Sequence, residues 1–169
     1  MRYIASLPLM APYLEQYVRY HSGGIDKETI DLKNFQDAIV LVKRNLVPFT
    51  DEESAKKRWP GQFDCDVKAG ADELLHYKPK VDAFYVLGPK GASEVVSILL
   101  AYFDMAMIQE WTINCAEYAK TMTMPSKRSF ILAFMERHGI LPGDCEYQSV
   151  MKRFQRITDK TSAALVQND

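Results

Sequence analysis

The 169-residue sequence carries 21 basic and 22 acidic side chains for a net charge of −1, with 47 % hydrophobic and 25 % charged residues. That balance excludes a disordered chain and a uniformly basic nucleic-acid coat, and it allows one domain with a sizeable core. Three scattered cysteines (Cys65, Cys115, Cys145) and three scattered histidines (His21, His76, His138) make no disulfide scaffold and no metal-ligand spacing, so neither metal nor cofactor is expected.

The apolar opening stretch is broken by Pro8 and Pro12 and lacks the uninterrupted core of a secretion signal, which points to a soluble, cytoplasmic chain. Pro12 opens a helix with Tyr13, Leu14, Tyr17, Val18 and Tyr20 at helical spacing, stopped by Gly23-Gly24. Tyrosines on such a stripe can stack on bases, but they pack half-buried far more often. Thr29–Lys33 alternates as a short strand, and Asn34 stands as N-cap of a helix whose Phe35, Ala38, Ile39, Val42 and Leu46 repeat at threes and fours before Pro48.

Thr50 to Glu53 forms a capping box for a short charged helix, in which Asp51, Glu52 and Glu53 neutralise Lys56, Lys57 and Arg58. Phe63, Cys65 and Val67 alternate with Asp64, Asp66 and Lys68 as a half-exposed strand. Its two carboxylates lack the further ligands of a metal site. A helical turn over 71–77 and a buried strand Phe84–Leu87 follow. Gly88-Pro89-Lys90-Gly91 then reads as a turn, lacking the pattern of a phosphate loop.

From Ala92 to Met122 no Gly or Pro interrupts, and Ser93 can cap what reads as a helix of roughly 25 to 30 residues. Between Val95 and Ile108 only Ser97 and Asp104 are strongly polar, so this half is expected to be buried in a core or an oligomer seam. It is too short and too interrupted to span a membrane. Asp104 must there be paired, hydrated or at the boundary of a seam.

Ser126 caps a helix with Phe130, Ile131, Phe134, Met135 and His138 on one face, ended by Gly139 as C′ with Ile140 as its apolar partner. After a turn at Leu141-Pro142-Gly143, Asp144 is the expected N-cap of a second helix with a stripe of Tyr147, Val150, Met151, Phe154 and Ile157. Opposite that stripe stand Ser149, Lys152, Arg153, Arg156 and Lys160. Residues 126–160 hold seven basic and four acidic side chains, so positive charge is concentrated here. The expected contacts to duplex DNA are Lys152, Arg153, Arg156 and Lys160, assisted by Lys127 and Arg128, with Gln148, Ser149 and Gln155 able to reach base edges. A solvated basic face is the alternative.

The segment Phe130–Ile140, followed by Tyr147 and Lys152–Arg156, resembles the C-terminal part of small uncharacterised proteins of bacterial prophages and mobile elements. Residues 11–18 and 85–91 resemble them too. The resemblance implies a mobile-element accessory protein of a DNA-binding kind, and supplies no catalytic residues. The expected fold is mainly α: a helical core domain over 1–125 with a minor β element, a helix-turn-helix-like segment over 126–160, and a tail over 161–169. The alternative function is a structural protein that forms homo-oligomers through the central helix. No paired acid and base or nucleophile suggests an enzyme.

Overall fold

A computed structural model describes residues 3–6, 10–23, 30–49, 53, 66–68, 84–120 and 126–166. The fold is mainly α, with one long central helix and a minor β element of short strands. Two compact units divide it. One comprises Met1–Ala11 with Val18–Leu100, the other Pro12–Tyr17 with Ala101–Asp169, so two helices run from one unit into the other. The sequence-based division at residue 125 does not coincide with this one.

The first unit holds a five-stranded mixed sheet in the order β2-β4-β1-β5-β3, made of β1 (Tyr3–Ser6), β2 (Ile30–Asp31), β3 (Leu46–Phe49), β4 (Asp66–Lys68) and β5 (Phe84–Leu87). β1 pairs parallel to β5 and antiparallel to β4, while β3 closes the far side antiparallel to β5 with Pro48 opposite Tyr85. Proline lacks a backbone N–H, and the outermost strand is where a sheet tolerates that loss. Helix α1 (Pro12–His21) begins at the expected proline. Helix α2 (Gln36–Arg44) buries Ala38, Ile39 and Val42 along one face, as its spacing predicts. Its N-cap is Phe35 and not Asn34. Asn34 instead ends a 3-10 turn and donates its amide to the carbonyl of His21 at 2.5 Å, satisfying the open end of α1. Leu46 belongs to β3, the helix having ended two residues earlier.

The central helix α3 spans Pro89–Ala119, 31 residues. It starts before Ser93, because Gly88 accepts the Ala92 amide at 2.8 Å and Pro89 occupies the first helical position, where its missing N–H costs nothing. The Gly88–Gly91 run is therefore the opening of the helix. Gly91 permits a close approach to α2: a side chain there would run into Asn45, which bridges the Leu41 carbonyl and the Glu94 carboxylate at 2.9 and 3.2 Å. Ala92, Val95 and Leu99 are buried in the first unit, and Phe103 and Met107 in the second. This spacing of three and four is a single stripe. The expectation of burial nearly all round is corrected accordingly: Ile98, Leu100, Tyr102 and Ile108 are half-buried, and Met105 is 55 % exposed. The expectation that it is too short and too interrupted to span a membrane is corrected by the observed length: the 31-residue helix is long and apolar enough to cross one by length and composition, a property it shares with the core helices of soluble proteins.

In the second unit, helix α4 (Lys127–Arg137) starts at Ser126, whose hydroxyl accepts the Ser129 amide at 3.4 Å. Gly139 takes a positive φ of 66°, Ile140 donates to the Met135 carbonyl at 2.8 Å, and Gly139 donates to that of Glu136 at 3.3 Å. These are the two bonds of the expected left-handed helix end, and Ile140 is buried beside it. Helix α5 (Asp144–Val166) begins one residue earlier than a cap at Asp144 would imply, since Gly143 accepts the Tyr147 amide at 2.9 Å and is itself the N-cap. Residues 161–166 continue it as helix, where the sequence suggests a tail. Among the segments named from sequence, the helix from Thr50 (Glu53 apart), most of the strand from Phe63 and the turn over 71–77 lie outside the described residues.

A candidate nucleic-acid interface on the last helix

Helix α5 is held by an aromatic cluster. Phe154 is fully buried against Trp111 and Phe130, with ring centroids 5.1 and 5.5 Å away, and Val150 and Ile157 extend the same stripe. A second cluster centres on Phe103, whose ring meets Tyr13 and Tyr17 at 5.2 Å each and Phe134 edge-on at 5.5 Å. Such tilted and edge-to-face pairs favour one orientation of each ring. The two clusters fix which face of α5 is left to solvent.

That outer face presents Gln148, Ser149, Lys152, Gln155 and Arg156, all exposed. Lys127 and Arg128 are exposed on the first turn of α4, and Lys160 follows on the backbone of α5. Arg153 is not part of this surface. Its guanidinium engages both oxygens of Asp104, with Nε donating to Oδ1 at 2.8 Å and Nη2 donating to Oδ2. The side chains are only 26 % and 19 % exposed. Helical spacing places Arg153 at the margin between the buried stripe and the open face, and the carboxylate on α3 draws it inward. The hydrogen bond to Asp104 raises the Arg153 pKa further above its ordinary value. A guanidinium whose charge is balanced by a neighbouring carboxylate adds little net attraction for a phosphate. The expected row of four cations, Lys152, Arg153, Arg156 and Lys160, thus loses one member, and Asp104 gains the partner that its place in an apolar run requires.

A second ionic group was not foreseen in the sequence. Glu110 on α3 accepts from Arg137 and contacts His138 Nε2 at 2.5 Å, with the His138 ring 4.3 Å from that of Phe134 and 5.3 Å from that of Tyr17. The group ties the C-terminus of α4 to the central helix. Gln16 adds a further tie, accepting the Leu141 amide at 2.7 Å. Their only sequence signal is position, Glu110 lying two turns beyond Phe103 on a flank of the apolar stripe.

Burial, and secondarily the Glu110 charge, push the Tyr17 hydroxyl up to about 12. Its folded-state proton is held more tightly than the unfolded chain's, near 10, so the resulting stability is complete below pH 10 and lost as pH rises towards 12. Tyr17→Phe is expected to flatten the alkaline loss of stability by about 2 kcal/mol, read as urea midpoints at pH 9 and 11.5. An unchanged alkaline slope would exclude this contribution. Burial also raises the Tyr13 hydroxyl, opposed by the nearby Arg153 charge.

No group of three or more metal-binding side chains occurs among the described residues. Comparison with protein-family models, curated proteins and solved structures finds no match.

Proposed function

We propose that the protein binds duplex DNA through the exposed face of α5, as a non-enzymatic cytoplasmic accessory or regulatory protein of a mobile element. The observation that carries this reading is the composition of the face: Gln148, Ser149, Lys152, Gln155 and Arg156 are exposed together with no carboxylate among them until Asp159. Lysine and arginine neutralise phosphates, and the amides and hydroxyl offer donors and acceptors to base edges. Removing Arg153 from the count makes the reading quantitative. Lys152 and Arg156 alone give a slope of log affinity against log salt near −2, and adding Lys127 and Arg128 brings it to about −4.

Titration of a duplex against salt tests this. Lys152→Glu/Arg156→Glu should weaken binding by more than tenfold at low salt with the fold intact by circular dichroism. No binding by the natural chain at low salt overturns the proposal.

A specific observation favours a second reading, self-association through α3. Met105 and Ile113 are 55 % and 60 % exposed on the C-terminal half of that helix, and Gln109, Thr112 and Ala116 continue an exposed face without charge. Light scattering at high protein concentration decides it: a strict monomer removes this reading.

A further inference from the structure

We infer that a second copy of this chain packs on the C-terminal half of α3, antiparallel to it, about a two-fold axis midway between Met105 and Ala116. The inference rests on the self-association reading above and adds the direction and register of the partner helix. Met105, Gln109, Thr112 and Ala116 are exposed. On a helix of 3.6 residues per turn they fall within an arc of about 60°. Steps of four, three and four are the spacing of a two-helix seam. All four residues are uncharged, and the two carboxylates of the same stretch turn elsewhere: Asp104 is held by Arg153 and Glu110 by Arg137. Two such faces meet without like-charge repulsion, and a charged partner finds no counter-charge on them.

Side-chain size decides the occupant and its direction. Across a two-fold axis each residue meets a different residue of the other copy, and that contact occurs twice. The antiparallel register sets Met105 against the partner's Ala116 and Gln109 against the partner's Thr112. Alongside, Ile113, 60 % exposed, comes to lie on the partner's Ala106. On the other flank the half-buried Ile108 reaches the partner's Cys115, also half-buried. Each large apolar side chain of the face thus finds a small one of the same face opposite it. A parallel partner would stack methionine on methionine and leave a gap where alanine faces alanine. A single pair of helices is a small interface, so reversible association at roughly micromolar concentrations and above is expected.

Cross-linking in a Cys65→Ser/Cys115→Ser/Cys145→Ser background tests the direction. Positions 105 and 116 lie roughly 16 Å apart along one helix, beyond the reach of a disulfide, so a bond between them must join two chains. Under mild oxidation, an equimolar mixture of Met105→Cys and Ala116→Cys chains should give about fivefold more disulfide-linked dimer than either variant alone. Cross-linking of either variant with itself at the level of the mixture, as a parallel partner requires, overturns the inference. So does a dimer whose mixture gives no cross-link. If the background does not fold, light scattering reads the same geometry with the natural cysteines in place. Met105→Lys and Ala116→Glu should each be monomeric, and their mixture should recover the dimer; a mixture no heavier than its components overturns the inference. A natural chain that stays monomeric up to ~1 mM overturns the self-association reading as well. If that monomer sediments with phosphatidylcholine vesicles, the face belongs to a lipid surface instead.

Discussion

Phe103→Ala is expected to destabilise the protein by about 3–5 kcal/mol, the range for truncating a buried phenylalanine. The side chain is fully buried and its ring is shared by Tyr13, Tyr17 and Phe134, drawn from α1 and α4. Truncation opens a cavity and removes three aromatic pairs at once, and the rings around it are themselves restrained by His138 and Phe130. Phe103→Leu keeps most of the volume and should cost about 1.5 kcal/mol. Urea denaturation followed by tryptophan fluorescence separates the two. Equal losses for alanine and leucine would mean that the ring contacts and not the filled volume hold this cluster together.

The second large effect is at Asp104. Asp104→Ala leaves the Arg153 guanidinium partly buried without its counter-charge, and a loss of about 2–3 kcal/mol is expected. The figure is set below that of a fully buried pair because both side chains retain some contact with water. Asp104→Leu/Arg153→Met removes both charges and should return stability to within about 1 kcal/mol of the natural chain, since apolar replacement of a whole pair is often neutral. The cycle also separates stability from binding. The double variant keeps Lys152 and Arg156 and should bind duplex with an unchanged salt slope, whereas a phosphate-contacting Arg153 would make the slope shallower by about one. A cost under 0.5 kcal/mol for Asp104→Ala would reduce the pair to an ordinary surface contact.

The helical periodicity was legible wherever one stripe alone is buried. Phe130, Ile131, Phe134 and Met135 on α4, and Val150, Phe154 and Ile157 on α5, fall where spacing puts them, and Gly139 ends its helix as glycine in that position should. Short-range chemistry misled at helix starts. Ser93 has the side chain of a cap, but the chain is already helical there because Pro89 needs no hydrogen bond at the first position. Asn34 has the side chain of a cap too, and spends it on the end of a different helix. The sheet was half visible. Strands of two to four residues at Tyr3–Ser6 and Leu46–Phe49 are too short for alternation to register, and the proline inside the latter argues against a strand unless its edge position is known. The candidate site was legible as a face and not as a set of free charges. Lys152 and Arg153 are neighbours in the sequence, and what separates their roles is a carboxylate 49 residues away.

The placement of Pro48 bears on how the sheet behaves among many copies of itself. Among the described strands the outer two are β2, only two residues long, and β3, which carries the proline. An open strand border invites growth by hydrogen bonding to another chain, and shortness and proline are two ways of denying it a continuous ladder of donors and acceptors. Both borders are blunted, one by each means. Growth through added strands is thereby discouraged at both outer strands of this small described sheet.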